Sequence, residues 1–294
     1  MAANVRGRIP GALNYAVLII FSFICVYPLY YVIINSFSGA DAIRAGAYLI
    51  PGEPTLLYYT NLLQVPDILN AVFISAARTV VGTALIVICS SFLAYMVTQR
   101  TLPHRKAIYR FVIITMYFNA GLIPWYMVMK DLGLKNNFLL YVLPYMISAF
   151  YVILVKTYIE SLPPSLEESA ALDGAGVVTT FIRIIMPLSM PIIACVTVFG
   201  AVWQWNQWVD NLYLVTSPKL TTLQYLLYGQ LETNMSSVTG QLNTMGLGFL
   251  RGQAISPKGL QYAMTVISVL PILAVYPVMQ KYFIKGIMLG AVKG

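Results

Sequence analysis

The sequence predicts an all-α integral membrane protein, and three features of its composition support that class. Of the 294 residues, 59% are hydrophobic and only 10% are charged, whereas a soluble domain usually carries about 25% charged residues. A mean hydropathy of +0.75 would require a larger core than a soluble chain of this length encloses. The apolar residues also occur in runs of about 20, the length of a bilayer-crossing helix. A bundle of membrane-spanning helices accounts for all three.

Six apolar segments reach spanning length, and each is expected to form one transmembrane helix. They lie near residues 13–37, 73–98, 109–129, 138–159, 187–214 and 260–283. The first run of 25 residues is longer than the apolar region of a secretory signal, which has about 7–15 residues. We therefore expect an uncleaved first span after a cytoplasmic segment 1–12, and one transmembrane domain over 13–294.

The distribution of lysine and arginine predicts the orientation of these spans. With both termini in the cytoplasm, eleven of the 18 basic residues lie on the cytoplasmic side and six on the outer side, in agreement with the positive-inside rule. Topology thus explains the net charge of +8 better than nucleic-acid binding does. Arg78, at the outer edge of the second span, is expected to snorkel to the headgroups. A gate or a contact with substrate charge is the alternative for Arg78.

The cytoplasmic segment 160–186, the 160–186 loop, is acidic where basic residues are expected. It contains SLEESAALDGA from Ser165 to Ala175. Ser165 and Glu168 have the spacing of a capping box, which predicts a helix start. Gly174 is placed to end that helix in a left-handed conformation, and a second helical run begins near Val177. The pair is either an ordinary interfacial helix-turn-helix or a docking element for a partner protein.

The 160–186 loop resembles the EAA loop of ABC importer permeases. That pattern has Glu-Ala-Ala, three residues and then Gly, which Glu168 and Gly174 match, with Ser169 in place of the first Ala. Three further segments, 118–126, 204–208 and 285–294, are similar to carbohydrate permeases of the MalG-like class, above all the LplC/YtcP group of oligosaccharide permeases. The resemblance implies a type I importer permease bundle of six transmembrane helices with a cytoplasmic coupling-helix loop.

The same resemblance implies a function, partners and a location. The chain would be the permease subunit of a binding-protein-dependent ABC importer for sugars, specifically oligosaccharides or polysaccharide fragments, in a bacterial cell membrane. Expected partners are a second homologous permease, two ATPase subunits, an extracytoplasmic solute-binding protein meeting the outer loop 215–259, the carbohydrate and membrane lipid, but no nucleic acid. The ATPase subunits would hold ATP and Mg, and this chain no cofactor. The residues expected to engage the ATPase are Glu167, Glu168, Ala170, Ala171, Asp173, Gly174 and Ala175.

Polar and aromatic residues of the later spans are candidates for the substrate pathway, because aromatic faces and amide groups suit sugar rings. The candidates are Asn119, Tyr151, Trp203, Trp205, Asn206 and Trp208. The tryptophans could instead form an aromatic belt at the water interface. Trp205 and Asn206 are adjacent and point about 100° apart on a helix, so they cannot both face the centre of one cavity.

Catalytic motifs are absent from the sequence. It contains no phosphate-binding G-x-x-x-x-G-K-[ST] loop, no H-E-x-x-H and no G-x-S-x-G, and we therefore expect neither ATP hydrolysis, nor a metal site, nor a membrane-embedded enzyme. Two transport alternatives remain open. One is an ABC permease for a non-sugar solute. The other is an ion-coupled secondary transporter, which would need intramembrane ionisable residues and a repeated half.

Overall fold

The computed structural model describes residues 8–46, 49–233 and 256–291, and the regular structure in these ranges is entirely helical. Parts of the predicted segment 1–12 and of the outer loop 215–259 lie outside the described residues. The helices are α1 (Arg8–Ser36), α2 (Ala40–Ala45), α3 (Leu57–Gln64), α4 (Pro66–Thr98), α5 (Arg105–Tyr117), α6 (Leu122–Asp131), α7 (Ala149–Ile159), α8 (Ser165–Leu172), α9 (Val177–Thr180), α10 (Met186–Leu188), α11 (Met190–Asn206), α12 (Val209–Leu214), α13 (Leu223–Thr233) and α14 (Pro257–Ala291). Short 3-10 helices lie at Phe138–Tyr141, Leu143–Tyr145 and Pro218–Leu220, and a π-helical turn at Phe181–Ile185.

Several helices are long and apolar enough to cross a membrane. Within the described residues these are Asn14–Ser36, Asp67–Thr98 and Pro257–Val275. Two bent pairs of helices also qualify when each pair is taken together: Phe138–Tyr145 with Ala149–Ile159, bent by 45°, and Val177–Leu188 with Met190–Asn206, bent by 84°. The described residues are therefore helical and apolar as the predicted class requires, while the count of six spans stays a prediction.

Three of the predicted spans are interrupted, and in 138–159 the interruption is the 45° bend between Tyr145 and Ala149. The predicted span 109–129 is divided between α5 and α6, because Phe118 adopts an extended conformation and Gly121 has a φ of +87°. The Asn119 Oδ1 atom accepts a hydrogen bond from the Gly121 amide at 2.9 Å and stabilises this turn. The predicted span 187–214 is likewise interrupted at Gln207, whose backbone is extended between α11 and α12.

The described residues fall into two compact units, one within Met1–Pro66 and Gly229–Leu270 and the other within Asp67–Tyr228 and Pro271–Gly294. In the first unit, the Ser36 and Tyr59 hydroxyls lie 2.7 Å apart, and the rings of Tyr31 and Tyr262 meet edge to face at 6.0 Å. Hydroxyl and aromatic contacts therefore hold α1, α3 and the start of α14 together.

The second unit is built on α4. Its buried residues pack against α7, the π-helical turn and α11 in one apolar cluster. A Cβ atom on Gly200 of α11 would lie 3.6 Å from Thr83 and 3.7 Å from Ile86, which is ordinary contact, whereas a Cβ atom on Gly82 would collide with the Gln204 side chain. Small residues thus let α4 and α11 approach closely, as is common between membrane helices.

Candidate functional site

The 160–186 loop contains the predicted pair of short helices, and the first of them begins differently from the prediction. Helix α8 starts at Ser165, directly after Pro164, and no side chain caps its first turn. The predicted capping box between Ser165 and Glu168 is therefore wrong. The Pro164 backbone is already helical, and its carbonyl accepts a hydrogen bond from the Glu167 amide at 3.1 Å. Proline starts the helix because its fixed φ suits a first turn.

The end of α8 agrees with the prediction made from Gly174. This residue has a φ of +75°. The Gly174 amide donates to the Ala171 carbonyl at 3.1 Å, and the Ala175 amide donates to the Ala170 carbonyl at 2.9 Å. These two bonds form a Schellman motif, which closes a helix and reverses the chain. The following helical arm, Val177–Leu188, is bent by 84° from α11, so it does not continue that helix in a straight line.

Two contacts fasten the 160–186 loop to one end of α4. The Phe181 ring, 5% exposed, stacks on Tyr95 with centroids 5.4 Å apart and meets Phe92 edge to face at 5.3 Å. Aromatic pairs in such arrangements contribute about 0.5–1.5 kcal/mol beyond the burial of their area. In addition, the Gln99 amide nitrogen donates to the Glu167 carboxylate at 3.0 Å. One contact comes from each arm of the loop, so both arms are held to α4.

One surface of the 160–186 loop is exposed to solvent and partly apolar. Leu172 is 89% exposed, and Val178 and Ile182 are each 56% exposed. Among the seven residues predicted to engage an ATPase, Glu168, Ala171, Asp173 and Gly174 are exposed, Glu167 and Ala175 are half-buried, and Ala170 is buried. Ala170 therefore packs inside the loop. These three apolar residues were not predicted as site residues from the sequence. Their occurrence in a polar loop between two spans could have indicated them.

A cavity of about 370 Å³ lies in the second unit and brings together two of the predicted pathway residues, Tyr151 and Trp203. Tyr145, Ser148 and Ile86 are among the other lining residues, and we call this the aromatic cavity. The Tyr145 and Trp203 rings meet edge to face, with centroids 4.6 Å apart. Sequence reasoning did not include Tyr145, because nothing in the pattern distinguishes it from the many other tyrosines.

The other four pathway candidates lie outside the lining of the aromatic cavity. Asn119 is exposed in the turn between α5 and α6, and Trp205 is buried. Asn206 is exposed and donates to the Val202 carbonyl at 2.8 Å. Trp208 stacks on Tyr228 with centroids 4.0 Å apart. The divergence predicted for Trp205 and Asn206 is thus observed, since one is buried and the other exposed.

Arg78 is buried, so the prediction that it snorkels to the headgroups is wrong. Its side chain and that of Asp210 are each 1% exposed, and the guanidinium forms two hydrogen bonds to the carboxylate at 3.0 and 2.5 Å. Nε also donates to Gln204 Oε1 at 3.0 Å, and Nη1 to the Gln207 carbonyl at 3.3 Å. The break at Gln207 supplies a carbonyl, and α12 supplies a counter-charge. These partners lie more than 120 residues away, where sequence reasoning did not connect them.

Comparison with known proteins identifies the family. The chain is 34% identical over 291 residues to the polygalacturonan/rhamnogalacturonan transport system permease protein YtcP of Bacillus subtilis strain 168, covering 99% of this chain and 100% of that protein. It is 36% identical over 273 residues to the LplC protein of the same organism, covering 92% and 90%. The chain belongs to the permease subunits of sugar-importing ABC transporters.

The fold of this permease agrees with that family. A crystal structure of a bacterial ABC transporter involved in the import of the acidic polysaccharide alginate contains a similar chain, with a TM-score of 0.84, 29% identity and coverage of 94% of this permease and 97% of that chain. No protein-family model matches the sequence. The predicted family, carbohydrate ABC importer permeases near the LplC/YtcP group, is confirmed, and the chain is a membrane permease, with ATP hydrolysis carried out by separate subunits.

Replacing Phe181 tests how the loop is held to α4. The variant Phe181→Ala should destabilise the docked loop by about 3 kcal/mol, in the range for deleting a buried aromatic ring. Tryptic cleavage after the exposed Arg183 should then accelerate by about a hundredfold, because cleavage tracks the open population. The matched control is Ile182→Ala, a neighbouring exposed side chain, which should cleave at the wild-type rate. Equal cleavage rates for the two variants would contradict the role of Phe181 in holding the loop to α4.

Proposed function

We propose that this permease forms half of a heteromeric importer in the bacterial cytoplasmic membrane and carries oligosaccharides derived from acidic polysaccharides. A second permease completes the pathway, two ATPase subunits bind ATP and Mg, and an extracytoplasmic binding protein delivers the sugar. YtcP and the alginate transporter are both named for acidic polysaccharides, which supports this substrate class. The observation that carries the proposal is the 160–186 loop, anchored to α4 on one side and apolar and exposed on the other.

A topology of six spans with both termini in the cytosol fits the described helices. The three long helices and the bent pair of Phe138–Tyr145 with Ala149–Ile159 supply four spans, α11 with α12 supplies a fifth, and α5 with α6 supplies the remaining one. Helix α5 has 13 residues and α6 has 10, which at about 1.5 Å per residue cover about 35 Å, enough for a hydrocarbon core of about 30 Å.

The turn between α5 and α6 is an argument for a second permease subunit in the complex. Non-helical backbone at membrane depth is tolerated only where protein or a water-filled path covers it. Tyr117, Phe118 and Ile123 beside this turn are exposed in the single chain. A partner subunit or the transport pathway itself would provide the required cover.

The exposed face of the 160–186 loop is suited to docking an ATPase subunit. Leu172, Val178 and Ile182 offer apolar side chains beside the carboxylates of Glu168 and Asp173. Burying each apolar side chain in an interface contributes up to about 1.5–3 kcal/mol. When ATP binding draws the ATPase subunits together, each loop moves with them and carries α4 through Phe181. The cycle thereby alternates between two states of the spans that bind the ATPase differently.

The aromatic cavity is suited to part of an oligosaccharide. Sugar rings present C–H faces that pack on aromatic rings, and Tyr145, Tyr151 and Trp203 supply three such surfaces, while Ser148 supplies a polar group. Its volume of about 370 Å³ is at the small end of ligand pockets, which span about 300–1,000 Å³. The cavity therefore fits a short stretch of a sugar chain rather than a whole polysaccharide.

The described start of the outer loop 215–259 is held in a fixed conformation, which favours it as a docking surface for the binding protein. The Asn136 side chain accepts hydrogen bonds from the Thr216 amide at 2.6 Å and the Ser217 amide at 3.1 Å. Asn70 donates to the Lys219 carbonyl at 3.0 Å. A surface ordered before binding loses less conformational entropy when a partner docks.

Gly174 tests the coupling role of the loop. A valine there would be strained by about 1–2 kcal/mol or more, because a β-branched residue disfavours a positive φ. In the complete transporter, Gly174→Val should reduce transport and sugar-stimulated ATP hydrolysis by about tenfold. Gly176→Val is the control, since Gly176 has an ordinary φ and open space around it, and it should behave as wild type. Normal transport by Gly174→Val would count against the coupling role.

Trp203 tests the aromatic cavity. In assembled transporters, Trp203→Ala should lower sugar uptake by about tenfold, because it removes a stacking surface worth about 1 kcal/mol or more. Trp208→Ala removes a tryptophan that packs on Tyr228 instead, and uptake should change by less than about twofold. Uptake of radiolabelled oligogalacturonate into proteoliposomes measures both. A larger loss of uptake for Trp208→Ala than for Trp203→Ala would mean that the sugar path does not pass through this cavity.

A further inference from the structure

The buried Arg78–Asp210 pair belongs neither to the 160–186 loop nor to the lining of the aromatic cavity. We propose that it is a positioning pair that fixes the corner of the aromatic cavity formed by Tyr145 and Trp203. The proposal deepens the transport function assigned to that cavity and depends on it. Neither residue lines the cavity, so the pair would act through its neighbours and not by touching the sugar.

Arg78 contacts three side chains and one backbone carbonyl from elements distant from it in sequence. Its guanidinium forms a two-pronged contact with Asp210 of α12, and its Nε bonds Gln204 of α11 at 3.0 Å. It also donates to the Gln207 carbonyl in the break between those helices and lies 4.7 Å from the centre of the Tyr141 ring. A guanidinium is planar and its donors are fixed in direction, so it sets the directions of all these partners together.

Two of those partners lie close in sequence to the cavity aromatics. Gln204 follows Trp203 in α11, and Tyr141 ends the 3-10 helix just before the one that carries Tyr145. The Gln204 side chain is also confined by Gly82, one turn along α4 from Arg78, where there is no room for a Cβ atom. Trp203 and Tyr145 therefore sit on backbone whose neighbouring side chains are held by Arg78, which accounts for their fixed 4.6 Å contact.

The chemistry of the pair favours positioning over ion coupling. Both Asp210 oxygens accept from Arg78, and Oδ1 also accepts from the Asn211 amide at 2.8 Å. The carboxylate is thus committed to protein donors. A buried ion pair usually adds little net stability compared with an apolar pair of similar volume. What this pair supplies is a defined geometry at a break in a membrane helix, where free backbone groups need partners.

The first test separates positioning from folding. Arg78→Lys keeps the charge but loses the fork, and the double variant Arg78→Met with Asp210→Leu removes both charges together, which buried pairs often tolerate. For each assembled transporter, both should reduce sugar uptake by about tenfold while basal ATP hydrolysis stays within about twofold. Arg44→Lys in the exposed pair Arg44–Asp41 is the matched control and should transport normally. Wild-type uptake by an assembled double variant would overturn the proposal.

A double-mutant cycle identifies the route of the effect. If Arg78 acts through the corner formed by Tyr145 and Trp203, then Arg78→Lys added to the pair Tyr145→Ala and Trp203→Ala should cause no further loss of uptake, within about twofold, because coupled residues are non-additive. Independent losses that multiply would overturn the proposal.

The last test does not require transport. With Cys25, Cys89 and Cys195 replaced by serine, the substitutions Tyr145→Cys and Trp203→Cys place two thiols at the cavity corner. A short bifunctional crosslinker should join them in the wild-type background and about tenfold more slowly with Arg78→Lys, since a loosened corner spends less time at the contact distance. Equal rates would overturn the proposal. If the wild-type complex imports no sugar, while the cysteine variants with Arg78 and with Arg78→Lys still differ in crosslinking rate, the transport function alone would be refuted.

Discussion

The stacking of Phe181 on Tyr95 is the contact on which the proposed coupling role of the 160–186 loop depends. Helix α8 has only eight residues, and isolated helices shorter than about 12–15 residues are marginal in water. The loop therefore needs tertiary contacts to keep its shape. Phe181 provides a buried ring on one arm, and the Gln99–Glu167 hydrogen bond secures the other. Together they make the loop an extension of α4, so that a force on the exposed face reaches the membrane.

Helix α4 connects both functional regions of the second unit. Tyr95, near the C-terminal end of α4, contacts Phe181, and Arg78, in its N-terminal half, contacts Gln204 and Tyr141. The 17 positions between Arg78 and Tyr95 correspond to about 26 Å of continuous helix, and no proline or break interrupts it. The close approach of Gly82 and Gly200 keeps α11 against the same helix. A displacement of the loop therefore reaches the cavity through one rigid element and its packed neighbour.

The sequence revealed those features that depend on local chemistry. Hydropathy located α1, α4 and α14, and Gly174 marked a helix end because only glycine readily adopts that φ. The breaks at Phe118–Gly121 and at Gln207 were not anticipated, since apolar composition does not report backbone geometry. For the site, Tyr151 and Trp203 were predicted and both line the aromatic cavity, whereas Tyr145 was not predicted. The Arg78–Asp210 pair lies between residues 132 positions apart, and a single charge near a span edge gave no indication of its partner.

A distance measurement in the complete transporter tests most directly whether the loop and α4 move as one body. With the native cysteines replaced by serine, spin labels introduced by Ser165→Cys in the loop and Arg100→Cys, two residues after the end of α4, occupy exposed positions. Between the nucleotide-free and ATP-bound states, the distance between these labels should stay within about 2 Å, while the distance from position 165 to a label on the partner permease changes. A change of more than about 5 Å between positions 165 and 100 would mean that the loop moves without α4, and the account would be contradicted.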